Sequence, residues 1–551
     1  MNSPRLDALL HDGKLELSVD DAILLALENN LDVVAASFAP ALAETDLLRA
    51  KAGGAPRGVS GAFQSSSLFP GALAGPAGGS SGSFDPVANF GYTWNQSTVP
   101  LGITILQGVP VVTTHTGSYS YSLSQTFTTG TSFGISLFGS RQSTTGVTSL
   151  FNPQIPTQLQ LGFTQPLLNG FGRRVNGRFI LIARNDVRFA GSVFRQKVMT
   201  TVYQVLSLYW EVASARQHVE VAQKALDLTE KTLADITKEA QLGVIAPHEL
   251  VRARAEVSRQ RGSLVRARAN YEDKAEQFKT AVSKHVGPDL TGAEIIPSSQ
   301  LPEPRPGEVP ELAEALSQAV ANRPEIEQAS LNLRNQAIAI KAARNAMLPG
   351  LNIFATYSPQ GLSGNRVFRD TNGNVVGVEA AGLGDSLSQM FRNKYPDYTA
   401  GVSISVPLRN RTARADMARS LIEQRQLEAS LQQQKEMAEE GVRRALIAVT
   451  EAKAEIEAAR GAVELARQTL DGEQRKFQLG QSDVFRVVLA QRDLFDAEEN
   501  AVTASSGYAQ ALVQVELATG TILTKYHIEM GDARSKGSSG NVIARSAPVG
   551  Q

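Results

Sequence analysis

Polar residues whose position suggests work beyond packing are few: His248 and Glu249 follow one Leu-Gly pair, and Asp483 and Arg486 follow another. Solvated helix charge is the plain account of all four. A sharper account is a polar latch between two chain reversals, because charges gathered at a narrow opening raise an electrostatic barrier. Catalysis has little to build on. The six histidines are scattered, with none at a spacing of three or four from another, so no metal-ligand pattern emerges. Gly-x-Gly fragments sit in charge-free loops rather than between a strand and a helix, and no nucleophile stands in a recognisable arrangement. Asp20/Asp21 reads as a helix cap and Glu498/Glu499 as a solvated face. The sequence therefore predicts no enzyme, no cofactor and no metal.

The elements that hold these four residues are repeated. Gln241-Leu242-Gly243 recurs as Gln478-Leu479-Gly480, and the match extends both ways at a constant offset of 237. Val205, Val212, Val219, Leu226 and Leu233 step by seven, as do Val442, Val449, Ile456, Val463 and Leu470. Alanines follow three residues later, at Ala215 and Ala222 and at Ala445, Ala452, Ala459 and Ala466. One large and one small residue per heptad make a narrow seam on which helix backbones approach closely. The Leu-Gly pairs fold each seam into a long antiparallel hairpin, glycine supplying the left-handed residue that ends a helix. A helix from about Arg174 to Leu242, or from Arg414 to Leu479, would run roughly 100 Å at 1.5 Å per residue. Tyr209 and Trp210 lie on one such helix and are read as packing residues.

A second pattern is a shortage of charge. Between Pro86 and Gly172 the one formal charge is Arg141. Tyr119, Tyr121 and Leu123 alternate there with Ser118, Ser120, Ser122 and Ser124, and Leu159, Leu161 and Phe163 with Gln158, Gln160 and Gly162. The device returns at Leu351, Ile353 and Ala355 and at Ala400, Val402 and Ile404. Period two predicts strands. Soluble strands usually turn Lys, Glu or Arg to water, whereas these turn Ser, Thr, Gln and Gly, which is the pattern of a transmembrane β-barrel. Tyr92, Trp94, Tyr119 and Tyr121 suit the membrane interface. A closed sheet needs about eight strands, so several chains must share it.

Composition excludes more than it assigns. Lys+Arg and Asp+Glu are both 54, which gives no bulk charge for nucleic acid, and cysteine is absent. No stretch reaches 18 apolar residues, and Met1-Asn2-Ser3-Pro4-Arg5 opens without an apolar signal core. Taken literally those two facts describe a soluble cytoplasmic protein, and the charge-poor alternation argues against it. Short helices capped at Ser18-Val19-Asp20-Asp21 open the first copy and match residues 315–330 at an offset of 293. The fall from 293 to 237 gives the first copy 56 extra residues, assigned to a Gly/Ser/Ala/Pro-rich loop, 53–83, and an extended hairpin. The expected boundaries are a first repeat over 15–290, a linker over 291–310 that holds Pro302, Pro304, Pro306 and Pro310, a second repeat over 311–524 and a flexible tail over 525–551.

Helix, strands, long helix, turn and long helix, given twice, resemble the outer-membrane factor family, the TolC-like exit ducts of bacterial export systems. The resemblance spans roughly 15–523. It rests on Leu17-Ser18-Val19-Asp20-Asp21-Ala22, Gln165-Pro166-Leu167-Leu168-Asn169-Gly170-Phe171-Gly172, Asn322-Arg323-Pro324-Glu325-Ile326 and the paired Leu-Gly turns. It implies a mainly helical chain with a β part, a homotrimer in the outer membrane, and four strands per chain in a twelve-stranded barrel above a periplasmic helical tunnel. The implied partners are a periplasmic adaptor (membrane fusion protein), an inner-membrane pump of RND or ABC type, and outer-membrane lipid, with no nucleic acid. It implies passive export, by efflux or as the exit duct of type I protein secretion; a non-pore coiled-coil scaffold is the rival from another class. Adaptor docking would fall on Leu242, Gly243, Leu479 and Gly480, and the gate on His248, Glu249, Asp483 and Arg486. Two departures stand out. The family implies a secretion signal, so this start is truncated or processed. Family members can narrow the tip with aspartates on the second hairpin, and here those positions, aligned on Gly480, are Arg486 and Leu489.

Overall fold

The computed structural model describes residues 2–58, 83–103, 109–241, 247–370 and 374–529. The chain opens with α1 (Pro4–Leu9), β1 (Leu10–His11), β2 (Lys14–Leu17), α2 (Val19–Asn29) and α3 (Leu31–Lys51). Four long strands follow: β3 (Val87–Pro100), β4 (Val111–Thr126), β5 (Ser132–Thr144) and β6 (Phe151–Pro166). After the short α4 (Arg173–Asn176) come the 64-residue α5 (Arg178–Gln241) and the 36-residue α6 (Pro247–Val282). The connection to the second copy holds α7 (Pro288–Thr291) and β7 (Glu294–Pro297). The second copy repeats the order with α8 (Leu312–Asn322), α9 (Pro324–Ala346), β8 (Gly350–Tyr357), β9 (Gln360–Arg369), β10 (Val375–Glu379), α10 (Leu383–Phe391) and β11 (Tyr398–Ser405). It ends with the 68-residue α11 (Arg411–Gln478), the 36-residue α12 (Val484–Thr519) and α13 (Ile522–Lys525).

The chain divides into two compact units, one of Met1–Ala41, Phe189–Ser330 and Ala429–Gln551, the other of Leu42–Arg188 and Leu331–Glu428. In the first unit the heptad residues are the core. Val442, Ala445, Val449, Ala452 and Ile456 of α11 pack with Tyr508, Leu512 and Val515 of α12. Ala222, Leu226, Val257 and Leu264 do the same between α5 and α6. Alanine on one row lets the backbones close in, so Tyr508 and Leu512 fill the space across the seam.

The conserved order of the short elements has local causes. Ser18 caps α2, its Oγ accepting from the Asp21 amide at 3.1 Å while the Asp21 carboxylate accepts from the Ser18 amide at 3.3 Å. β2 pairs in parallel with β7, joining the start of the first copy to the connection between copies. Tyr209, fully buried, pins that sheet: its hydroxyl donates to the Leu17 carbonyl at 2.9 Å and accepts from the Ser299 amide at 3.1 Å. The Asn322-Arg323-Pro324-Glu325 run is a docking corner for α5. Arg195 donates to the Asn322 carbonyl at 2.6 Å, Ser192 to the Pro324 carbonyl at 3.1 Å and Gln196 to Glu325 at 3.1 Å. Proline starts α9 there without losing a helical hydrogen bond.

The second unit holds the large sheet. Its order is β3-β4-β5-β6, after which β6 pairs with β9 along one half and β8 along the other; β10 then pairs with β9 and β11 with β8. Ser358-Pro359 interrupts what is otherwise one stave, β8 with β9, and β10 with β11 make the next. The sheet thus has six staves per chain, all antiparallel to their neighbours, where the family resemblance implies four. The two more are the β3–β4 hairpin, in register from Val87↔Ser124 to Pro100↔Val111. This hairpin accounts for part of the first copy's extra length. The loop expected within 53–83 falls for the most part outside the described residues, as does the tail from residue 530 on.

Helices close the sheet at its lower end. Leu167 donates to the Leu351 carbonyl at 2.7 Å, and Asn345 clamps the next turn, accepting from Gly170 at 2.8 Å and donating to the Leu168 carbonyl at 3.0 Å. Gly170 has φ +81° and its carbonyl sits where a side chain on Gly130 would lie, which explains the Leu-Asn-Gly sequence at this corner. At the end of α3, Ala50 packs with Phe179, Ile182 and Ala183 of α5.

Candidate functional site: hairpin tips and a two-faced sheet

The second tip is built by its sequence. Helix α11 ends as Gly480 takes φ +72°, with the Gly480 amide donating to Phe477 at 2.9 Å and the Gln481 amide reaching back to Lys476 at 2.8 Å. Those two bonds cap carbonyls that the helix end would leave open. Leu479 is 73% exposed, so at this tip the leucine covers nothing within the chain. Asp483 starts α12, its carboxylate accepting from the Arg486 amide at 2.9 Å. Glu473 gathers Lys476 at 2.7 Å and Ser482 at 2.7 Å, and these hydrogen bonds hold its carboxyl below the usual carboxylate range. At the first tip, Leu242 and Gly243 lie outside the described residues.

His248 Nε2 lies 3.0 Å from Glu249 Oε1, and Arg252 Nη1 lies 3.2 Å from the same oxygen. The other carboxylate oxygen of Glu249 is buried without a hydrogen-bond partner among the described residues. Arg252 also places its guanidinium 5.4 Å from the ring centre of Phe485, on the second hairpin. Beneath them Ile236, Ala253 and Val484 are buried together, flanked by Leu233, Leu250, Phe477 and Val488. Gln491 donates to Thr232 at 2.9 Å, a further tie between hairpins.

His248 and Glu249 are therefore brought together, and Asp483 and Arg486 are brought together through a backbone amide. Among the described residues the Arg486 guanidinium forms no ion pair within a chain, though its charge adds to the lowering of the Glu473 carboxyl. Sequence reasoning missed Arg252, Phe485 and Glu473. Arg252 stands three residues after Glu249, a spacing that places both on one helix face. Nothing local marks Phe485 as its partner, since the contact crosses between hairpins.

The sheet carries two continuous faces. On one, Phe90, Tyr121, Leu137 and Leu159 are cross-strand neighbours; farther along the same face Leu161 pairs with Tyr357 and Phe163 with Ala355, and Ile353 and Val402 pair across β8 and β11. On the other, Gly91, Ser120 and Phe138 lie beside Ser118, Ser140 and Gln158, a surface of small neutral residues with one aromatic. The apolar face is bare within the chain: Phe90, Tyr92 and Trp94 are each more than 60% exposed, as are Val402 and Ile404. Formal charge on the strands of this sheet is confined to Arg141 of β5 and to Arg366, Arg369 and Glu379 of β9 and β10. Among the described residues no single helix is long and apolar enough to cross a membrane.

The family model for outer membrane efflux proteins matches residues 132–283 and 315–521. No curated protein sequence matches the chain. Three solved structures share the fold. The Campylobacter jejuni CmeC outer membrane channel aligns at 14% identity with TM-score 0.58, covering 92% of this chain and 86% of its own. The VceC outer membrane protein of Vibrio cholerae aligns at 14% identity with TM-score 0.58, covering 94% and 99%. The Neisseria gonorrhoeae MtrE outer membrane channel, in its open state, aligns at 16% identity with TM-score 0.55, covering 92% and 89%.

Proposed function

Because the chain belongs to the outer membrane efflux protein family, we propose that it is the outer-membrane duct of a tripartite export system. Three copies close the sheet into a barrel whose apolar face meets lipid, and the hairpins of the two repeats form a tunnel in the periplasm. Solutes pass down their gradient or under the drive of a partner pump, which an adaptor joins to the tips at Leu242, Gly243, Leu479 and Gly480. The observation that carries this reading is the sheet. It is neutral over almost its whole area, apolar on one face and small and polar on the other, and it has two free edges. Such a sheet has no stable place in water and satisfies its backbone in a bilayer only when closed.

The gate in this reading is the tie between hairpins near their tips. Arg252, paired with Glu249 beside His248 on one side, meets Phe485 from the other, while Asp483 and Arg486 fix the start of α12. Repeated about a three-fold axis, these residues ring the narrow end, and Arg486 is free to find a carboxylate on a neighbouring copy. The purified protein in detergent should have the mass of a trimer and should give discrete conductance steps in a planar bilayer. A protein that stays monomeric and soluble without detergent, and conducts under no condition, would instead be the coiled-coil scaffold.

A further inference from the structure

The β3–β4 hairpin lies before the first family-matched stretch, which begins at the first residue of β5, Ser132. We infer that this hairpin is part of the barrel wall, and that the free edge of β3 is the surface that a second copy of the chain occupies with its β11 edge. Three chains of six staves then close an eighteen-stranded barrel. The inference rests on the trimeric channel reading above.

Four observations carry it. The hairpin is not a loop laid over the sheet: β4 pairs with β5 over thirteen successive residues, from Thr114↔Thr144 to Thr126↔Ser132. Its two faces continue those of the sheet without a break, Phe90 and Tyr121 on the apolar side and Gly91 and Ser120 on the polar side. Apart from Pro100 at the end of β3 and Glu379 at the end of β10, the two outer edges lack the devices that keep an edge strand from pairing. Val87–Val99 contains no charged residue and no proline, and neither does Tyr398–Ser405. Direction also fits, for six alternating staves leave β3 and β11 pointing opposite ways, so a head-to-tail ring of identical chains is antiparallel throughout.

Closure at β3 rather than β5 changes what the barrel admits. With strands about 4.8 Å apart and tilted about 40°, twelve strands give a backbone radius of about 12 Å and eighteen about 18 Å. The cross-section rises at least about twofold, into the range of porin-like barrels that hold an open aqueous channel. The hairpin's inward-facing residues are Ser, Thr, Asn and Gly along its length, with Val87, Val99 and Val112 near its ends, and these take little of that width back. The substrate class fitted to such an exit is bulky neutral or weakly charged solute rather than a small ion alone.

The chain has no cysteine, so paired cysteines report contacts directly. Asn89→Cys, Thr93→Cys or Ser97→Cys on β3 is combined with Thr399→Cys or Ser403→Cys on β11 in the full-length protein, and oxidised in membranes. At least one combination should give chain-to-chain dimers and trimers on a denaturing gel that reductant dissolves. Ser122→Cys with Ser136→Cys should close within one chain, since those residues face each other across β4 and β5. A trimer linked instead through Ser136→Cys on β5 and Ser403→Cys on β11 would overturn the inference and leave the channel reading standing. Absence of any trimer would overturn both. Polyethylene glycols added to each side in turn give a second measure. From the sheet side, polymers about 20 Å across should lower the conductance, whereas a twelve-stranded lumen of about 14 Å would exclude them.

Discussion

Replacing Arg252 by alanine tests the gate where the structure makes it most specific. Arg252 holds two contacts at once, a 3.2 Å ion pair to Glu249 within its own helix and a 5.4 Å approach to the Phe485 ring across the hairpins. Its side chain is 57% exposed, so the ion pair contributes about 0–1 kcal/mol. The ring contact, equally wet, contributes about 0.5–1 kcal/mol. The ion pair stays within α6 whether or not the tips part, so the ring contact alone enters the balance between joined and parted tips, at roughly two- to fivefold per chain. If the three tips part together the open fraction rises by about tenfold to about a hundredfold; if they part singly, by about two- to fivefold. Single-channel recording of the purified trimer separates these cases by the appearance or absence of substates. Salt divides the two contacts, since raising ionic strength to 1 M shortens the Debye length to about 3 Å and weakens the ion pair more than the ring contact. Arg254→Ala, two residues along on the exposed face, is the control. An Arg252→Ala channel with the wild-type open fraction at both low and high salt would refute the gate as drawn.

Asp186 is buried against Asn335, which donates to it at 3.0 Å, and burial pushes its carboxyl up to about 6 from 3.8, with Asp46 adding to the rise. Between about pH 4 and 6 the native state then holds more protons than the unfolded chain, so stability falls as pH rises through that window and levels off above it. Asp186→Asn should flatten this slope and raise stability at neutral pH by up to about 3 kcal/mol at 1.36 kcal/mol per unit, read from thermal unfolding at pH 4, 5, 6 and 7. Tyr209→Phe orphans the Ser299 amide, while the Leu17 carbonyl keeps the Ser298 amide at 2.9 Å, a loss of about 1–3 kcal/mol; protease should cut first in the connection after residue 298, and unchanged cleavage would argue against the pin. Gly480→Ala forces a side chain into φ +72° with open space around it, so only strain of about 1 kcal/mol enters. Amide exchange at Gln481 should speed up about fivefold, with Gly480→Asn close to wild type.

Most of the helical architecture was legible because its causes are local and periodic. The buried positions Val442, Val449, Ile456 and Leu470 are the heptad series itself, and Ala445 and Ala452 fall where a narrow seam requires small residues. Gly480 was legible for a similar reason, since a left-handed residue after a long helix leaves few alternatives. The strands at Tyr119–Leu123 and Leu159–Phe163 declared themselves by alternation. Contacts between distant segments left no such mark. Arg252 on Phe485, Tyr209 on Leu17 and the parallel pair β2–β7 each join residues that no period relates.

The stave count shows where pattern reading stops. Alternation places a residue on a face and is blind to which strand lies beside it, because neighbouring staves repeat the same two-residue rhythm. The 56-residue excess of the first copy could therefore be read as an extended hairpin but not as two further staves of the same wall. Register supplies what rhythm lacks. Phe90 stands opposite Tyr121, Tyr121 opposite Leu137 and Leu137 opposite Leu159, so one apolar row crosses β3, β4, β5 and β6 without changing face. A hairpin folded away from the wall would have no reason to keep that row in step, since a shift of one residue would turn every serine of β4 toward lipid. The continuity of the row is thus the physical link between the extra length of the first copy and the width of the duct that three copies would enclose.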